Sequence, residues 1–364
     1  MAHTGVRRTT GALVLLGAIM AGCAPSGGAQ QALDRPASTT GAPPAALALT
    51  ESQARDIFER FARESASAQE RDDLAALAAV EGGQLLKESQ AEERLRKARG
   101  SSEAPRRYTR PTYLIPQAVQ GQAVPQAFAV LSKIEGQETD RGSYLIHFAR
   151  SADDGAWKAV ASAWVVTEVP SGAASAAPSS SPKPGVITVQ PQVMPPLARE
   201  ASGAVELAPA VAGSVCGRYA QYLSFTVPDG KPDSPDFERG DFSSKLVDYF
   251  NGWYDNRLQR SFSYRTVGDN LPAFRLGNGH SLVSCTLEGT HQVRGATPAN
   301  WINLGTGNDS EALLGGGARK WASLDEVWAV TAVIEVPQAG RPATVLATNA
   351  YGATRLSVNG VEWK

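Results

Sequence analysis

Three cysteines, four histidines, seven tryptophans and one acidic cluster are the residues from which this chain could build chemistry. His147 alternates with Leu145 and Ala149, which predicts a core or pocket-wall imidazole. His280, beside a turn, and His291 read as exposed polar residues rather than ligands. Asp229, Asp233, Asp236, Glu238 and Asp241 crowd into a Gly/Pro loop. Calcium favours such oxygens, but the alternating ligands around a central glycine are missing, so a solvated loop is expected and no metal is assigned. Gly305-Thr306-Gly307 and Gly315-Gly316-Gly317 lack the Lys-Ser or Lys-Thr of a phosphate loop. No Gly-x-Ser-x-Gly or His-Glu-x-x-His occurs, so no catalytic residue and no cofactor is assigned. Trp157, Trp164, Trp253 and Trp328 fall in periodic stretches, where core packing is the usual role. Trp301 and Trp321 flank the glycine-rich stretch and are the candidates for an exposed contact with a glycan or small apolar ligand.

The third cysteine carries the clearest message. Arg7 and Arg8 precede the apolar run Leu13–Ile19, small residues follow, and Cys23 closes the segment. That order is a secretory signal. The run is too short to cross a bilayer, which needs roughly 20 apolar residues. Thr9-Thr10-Gly11 lacks the apolar residues of a twin-arginine signal, so general secretion is expected. Met20-Ala21-Gly22-Cys23 resembles the lipobox of bacterial lipoproteins. The resemblance implies cleavage after Gly22, diacylation of Cys23 (palmitate-type chains on sulfur) and attachment to the extracytoplasmic face of the cell membrane. The bilayer is then a partner through Cys23. Each buried CH₂ contributes about 0.8 kcal/mol, and two chains hold where one is marginal. The alternative is an ordinary signal peptide that ends beside a cysteine.

Behind that address stand the elements that must position any site. The chain has 364 residues and a net charge of −1, which gives no electrostatic case for nucleic acid. Residues 1–22 read as the signal and 23–49 as an Ala/Pro/Ser/Thr stalk that cannot bury enough surface to fold. Residues 50–168 read as a first α+β domain, 169–207 as a Pro/Ser/Ala linker and 208–364 as a second α+β domain. Thr50 and Gln53 form a capping-box pattern, and Ala54, Ile57, Phe58 and Phe61 trace one helix face. A second helix is expected after Asp72-Asp73, with Leu74 and Leu77 inward, and a third over Leu85–Arg99 with surface pairs Glu92–Arg96 and Glu93–Lys97. Strands are expected at Tyr108–Ile115, Ala127–Ser132, Tyr144–Arg150 and Ala156–Val166, with Asp153-Asp154-Gly155 turning the last pair. The last strand is apolar on both faces, which predicts a central position. A short strand is expected at Val186–Val189.

In the second half, Cys216, Tyr219, Ala220 and Leu223 mark one helix, and Leu246 through Leu258 a longer one. Strands are expected at Ala273–Leu276, Ser281–Val293, Leu324–Val336, Thr344–Tyr351 and Thr354–Val358. Gly277-Asn278-Gly279 and Asn359-Gly360 are the turn signals, and residues 294–320 read as a long loop. The predicted fold class is α+β, two tandem domains, each of helices followed by a curved antiparallel sheet.

That order of elements resembles the ketosteroid-isomerase-like, or cystatin-like, cone fold, over Thr50–Val166 and Ala208–Val361. The whole chain also resembles a family of uncharacterised lipoproteins of high-GC Gram-positive bacteria, through the lipobox, the stalk and Leu271-Pro272-Ala273-Phe274. On the cone-fold reading, Cys216 sits on the inner face of a helix, and Cys285 faces the same core beside Val283 and Leu287. The two either form a disulfide, closing a loop of about 70 residues and adding about 4 kcal/mol, or remain buried thiols. Two functional readings follow. One is a non-catalytic envelope module binding a protein, glycan or small apolar ligand, with an apolar or aromatic pocket. The other is a secreted enzyme with a buried, pKa-shifted acid beside a donor, for which Tyr219, Tyr222 and Tyr254 are the available hydroxyls.

Overall fold

Thr50 starts the first helix with a side chain that closes on itself through Gln53. Its Oγ1 accepts from the Gln53 backbone N–H at 3.2 Å, and its own N–H donates to Gln53 Oε1 at 2.8 Å. Two N–H groups that a helix start leaves orphaned are thereby satisfied. The computed structural model describes residues 49–364 except 102–103, 118–126, 139, 151–154, 169–191, 210–213, 269–270, 306, 318 and 339. The signal, Cys23, the stalk up to residue 48, the Asp153-Asp154 turn and the strand expected at Val186–Val189 lie outside the described residues.

Helix α1 (Glu51–Glu70) buries Ala54, Phe58 and Phe61 along one face. Asp73 caps α2 (Leu74–Val80) by accepting from Ala76 N at 3.0 Å. Helix α3 (Gly83–Arg99) begins at a glycine with φ +53°, and an added Cβ would meet the Val160 carbonyl at 3.1 Å. It ends on Gly100 in the left-handed region, with Arg96, Lys97 and Arg99 in its last turn, where the helix dipole favours cations.

Strands β1 (Tyr108–Leu114), β2 (Ala127–Ile134), β3 (Gly142–Arg150) and β4 (Trp157–Val166) form an antiparallel sheet in that order. Period-two alternation sends Phe128, Val130, Ile146 and Phe148 toward α1, where Phe128 stacks on Phe148 at 4.8 Å and Phe61 meets Phe148 edge-on at 5.4 Å. The opposite face sends Ala129, Leu145 and Val165 into a second cluster. Strand β4 is apolar on both faces, yet it is an edge strand and not a central one. Its free edge is covered: Gly82 N donates to Ala159 O at 2.9 Å, and Met194 N to Val166 O at 2.8 Å. Covering of this kind blunts an otherwise sticky edge.

The second half places α4 (Ser214–Tyr222) and α5 (Ser244–Asn251) against a larger sheet. Its main path is β11 (Thr344–Thr348), β10 (Lys320–Val336), β8 (Ser281–Gly295), β6 (Leu258–Thr266) and β5 (Phe225–Thr226). Strand β7 (Phe274–Arg275) pairs with β8, while β9 (Ile302–Asn303) and β12 (Thr354–Glu362) pair with β10. A short helix α6 (Asp309–Leu313) lies between β9 and β10, in the stretch expected to be all loop.

Three sequence expectations change here. Helix α5 ends at Asn251, whose amide is bound at both ends by the Gly230 backbone (3.0 and 2.8 Å). Trp253 then packs on Phe250 instead of continuing the helix, and Leu258 begins a strand the helical pattern had hidden. Asn359-Gly360 does not turn; it pairs with Asp325 and Leu324 inside β12. Trp164, expected in the core, is 40% exposed.

The fold is α+β, and residues Pro44–Lys364 form one compact unit. Each sheet has its own core, and a third cluster joins them, with Leu114, Ala129, Leu145 and Val165 meeting Phe274, Leu282, Val333 and Leu346. The boundary in the sequence is therefore not a gap in the packing.

Gly360 is required by Trp321, since a Cβ there would sit 2.5 Å from the buried indole. Gly360→Ala is expected to cost about 1–3 kcal/mol in urea unfolding, an overpacking cost. Gly352→Ala, where the added carbon meets nothing within 4 Å, is expected to stay within about 0.5 kcal/mol. Equal effects would contradict this packing.

Candidate functional site

The inward face of α3 carries carboxyls where a core helix would carry leucines. Glu81, just ahead of it, and Glu88, two turns on, are both buried. Glu81 Oε1 accepts from Ser65 Oγ of α1 at 2.9 Å, while Glu81 Oε2 and Glu88 Oε1 have no hydrogen-bond partner among the described residues. Burial pushes Glu81 up to about 7 against the hydrogen bonds of Ser89 and Ser65 and the charge of Arg106. Burial, with Glu92 nearby, pushes Glu88 up to about 8. One turn further, Glu92 takes both its oxygens to Arg106 Nη2, at 3.2 and 3.1 Å. The surface pair expected between Glu92 and Arg96 gives way to that contact. Arg96 instead bonds Asp72 at 2.8 Å and Glu93.

Glu92 and Arg106 form part of the wall of a cleft of about 290 Å³, with Arg96 and Arg99 of α3, Asp309 of α6 and Arg355 of β12. Asp309 is held by Arg99 on one oxygen and by Arg355 on the other, the latter at 2.9 Å. Arg355 continues inward to Glu326 at 3.6 Å, and Glu326 binds Ser310 Oγ and His291 Nδ1, the latter at 2.9 Å. A chain of alternating charge thus runs from the cleft into the second sheet. Burial opposes the Glu326 charge, but the His291 hydrogen bond, His291 and Arg355 hold it down at about 2. Burial lowers His291 despite that partner. The imidazole stacks on Phe262 at 4.7 Å, and its Nε2 has no hydrogen-bond partner among the described residues.

This corrects the expectation that His291 is exposed. His280 is half-buried and bound to Glu335 at 2.6 Å. His147 is a core histidine: its Nε2 meets Ser284 Oγ at 2.8 Å between the two sheets, and burial lowers it to about 4. The acidic loop is distributed among partners, Asp233 to Arg239, Asp236 to Arg218, Asp241 to Lys245 and Glu238 to Thr344. Among the described residues no three His, Cys, Asp or Glu side chains converge to hold a metal. Tyr219 and Tyr222 donate their hydroxyls to the backbone carbonyls of Phe242 and Pro232.

Of the two flanking tryptophans, Trp301 is 42% exposed, while Trp321 is 4% exposed and packs in a cluster with Val293, Ile302 and Leu324. Trp321 is therefore core and cannot be an exposed contact. Trp301 does not offer a clear platform either, because the Lys320 ammonium stands 4.1 Å from its ring centroid and Trp363 lies 5.2 Å away. Cys216 of α4 and Cys285 of β8 are joined by a disulfide in the structure.

Sequence reasoning missed Glu81, Glu88, Arg106, Asp309, Glu326 and Arg355. For α3 one signal was available: Gln84, Glu88 and Ala91 share a face with Leu85, so no apolar stripe exists for a surface helix to bury.

A family model described as a domain of unknown function (DUF8094) matches residues 45–177. The matched stretch takes in α1 through β4. No curated protein and no solved structure matches the chain.

The two raised acids set a pH dependence. An unfolded glutamate releases its proton near 4.5, whereas these hold theirs to about 7 and about 8. The folded state therefore binds more protons across that window, and its stability falls as pH rises through it. Urea unfolding is expected to lose stability as pH rises from about 5 to about 8, by about 1 kcal/mol per pH unit for each acid still protonated in the folded state, and Glu88→Gln should flatten the slope. A slope unchanged by Glu88→Gln would contradict the burial of that acid.

Proposed function

We propose that this chain is a lipid-anchored protein of the extracytoplasmic face of the cell membrane, held through acylated Cys23, whose folded unit binds a ligand or partner without catalysing a reaction. The observation that carries the reading is the use of the cysteines. One closes a secretory signal, and the other two, Cys216 and Cys285, are joined. Disulfides persist in oxidising compartments and are rare in the cytosol. The bridge and the signal are independent features that point to the same side of the membrane.

The cleft is not the apolar or aromatic pocket expected of a binding module: its wall is charged, and its arginines Arg96, Arg99, Arg106 and Arg355 each hold a carboxylate. The enzyme alternative draws support from Glu81 and Glu88, the buried and shifted acids that such a site needs. Neither lines the cleft, however, and Ser89, Glu92 and Arg106 do. Glu81 reaches that wall only through its hydrogen bond with Ser89. The cone-fold likeness remains part of the same proposal, with α1 seated against the curved four-stranded sheet.

Metabolic labelling with an alkyne-bearing palmitate tests the anchor. The wild-type chain should carry label and partition to membranes, while Cys23→Ser should be unlabelled. Thiol titration of the denatured, unreduced mature protein tests the compartment, and no reactive thiol is expected. Absence of label on the wild type, or two titratable thiols, would overturn the reading. Cys216→Ser paired with Cys285→Ser should cost about 2–5 kcal/mol of stability.

A further inference from the structure

A second cleft, of about 520 Å³, lies where β6 runs past the end of β5. Its wall includes Arg260, a half-buried residue on the face of β6 that also carries Phe262 and Tyr264. Arg260 differs from the arginines of the first cleft. Among the described residues its side chain has no ion pair within 4 Å, and its buried Nε, like that of Arg355, has no hydrogen-bond partner. The carboxylates nearest in charge are both committed elsewhere: Glu326 to His291, Ser310 and Arg355, and Asp255 to Arg257 at 2.8 Å.

An Nε buried without an acceptor is costly, and no carboxylate pairs with the half-buried side chain that carries it to offset that cost. The cleft also takes in Asn256, able to donate, Asp255, which is held by Arg257, and the ring of Tyr254, which is 59% exposed, while Gln259, Gln292 and Arg294 line it from the opposite face of the sheet. The cleft falls within the size range of small-molecule sites. We infer that this cleft binds a small organic anion, its carboxylate or phosphate oxygens taken by Arg260 in the parallel two-bond geometry that a guanidinium offers, and its flat or apolar body resting on Tyr254. Planar oxyanions match that fork as a lysine ammonium does not. The site goes beyond the anchoring reading and does not depend on whether Cys23 is acylated.

The test uses the full chain purified in detergent, at fixed ionic strength in chloride, so that bulk screening is constant. Titration calorimetry compares benzoate, phenyl phosphate and the neutral isostere benzamide. Saturable binding of benzoate or phenyl phosphate, with benzamide at least about tenfold weaker, is expected, and the stronger of the two anions identifies the headgroup. Arg260→Gln should weaken the anion by about 10- to 100-fold, the loss of a charge-assisted hydrogen-bonded pair. Arg260→Lys, which keeps the charge and loses the fork, should fall between. Melting curves check folding, and Arg260→Gln is expected to melt no lower than wild type, because it removes an unpaired charge. Equal affinity for benzoate and benzamide, no saturation by either anion to about 10 mM, or unchanged anion affinity in a folded Arg260→Gln protein would overturn the assignment.

Discussion

The structure depends on one helix that is polar where it is most deeply packed. Helix α3 belongs by sequence to the first half, yet its side chains reach the second at every turn. Gln84 Nε2 donates to Leu287 O at 3.2 Å, Arg94 Nη2 to Leu356 O at 2.9 Å, and Arg99 Nη2 to Gly307 O at 3.1 Å and to Asp309. Burying donors and carboxyls is tolerable only where partners are fixed in place. Here the partners come from β8, β12 and the start of α6, so the helix is seated only when both sheets are built. Directional bonds set its register, and the apolar cluster between the sheets supplies the non-directional part of the attraction.

That arrangement explains why the first sheet is apolar on both sides. One face receives the aromatic side chains of α1, and the other receives Phe274, Leu276 and Leu282 from the second half. His147 stands in that second layer as a neutral imidazole bound to Ser284 and stacked on Phe274. The same logic places the alternating chain of Arg99, Asp309, Arg355 and Glu326, which ends on the His291 imidazole. Each charge has the next as its partner, so a run of ions can enter the protein interior without leaving one unpaired. Arg260, beside the inner end of that run, is left out of it.

Local patterns were legible in the sequence and long-range ones were not. The capping box at Thr50 joins residues three apart, and strands β1 to β4 carry the alternation a pleated sheet imposes. Both are readable because a few neighbouring residues determine them. Strand β6 was hidden because Trp253, Tyr254 and Leu258 continue the helical spacing of α5, while the Asn251 bonds that stop the helix come from Gly230, 21 residues earlier. Asn359-Gly360 looks like a hairpin turn, but its glycine answers to Trp321, which is 39 residues away in the chain. Glu88 resembles part of a solvated helix face until its burial in the fold is known. The first cleft shares that property: Asp309 meets Arg99 from 210 positions away while its other oxygen holds Arg355, and no local pattern announces it.

The central claim is that α3 clasps both sheets into one cooperative unit. Native-state hydrogen exchange at about neutral pH reads this directly, because amides in one cooperative unit open with a common free energy. The slowest amides of α3, β3 and β10 are expected to share that value within about 0.5 kcal/mol. Amides of α3 and the first sheet opening at least about 2 kcal/mol more easily than those of β10 would contradict it.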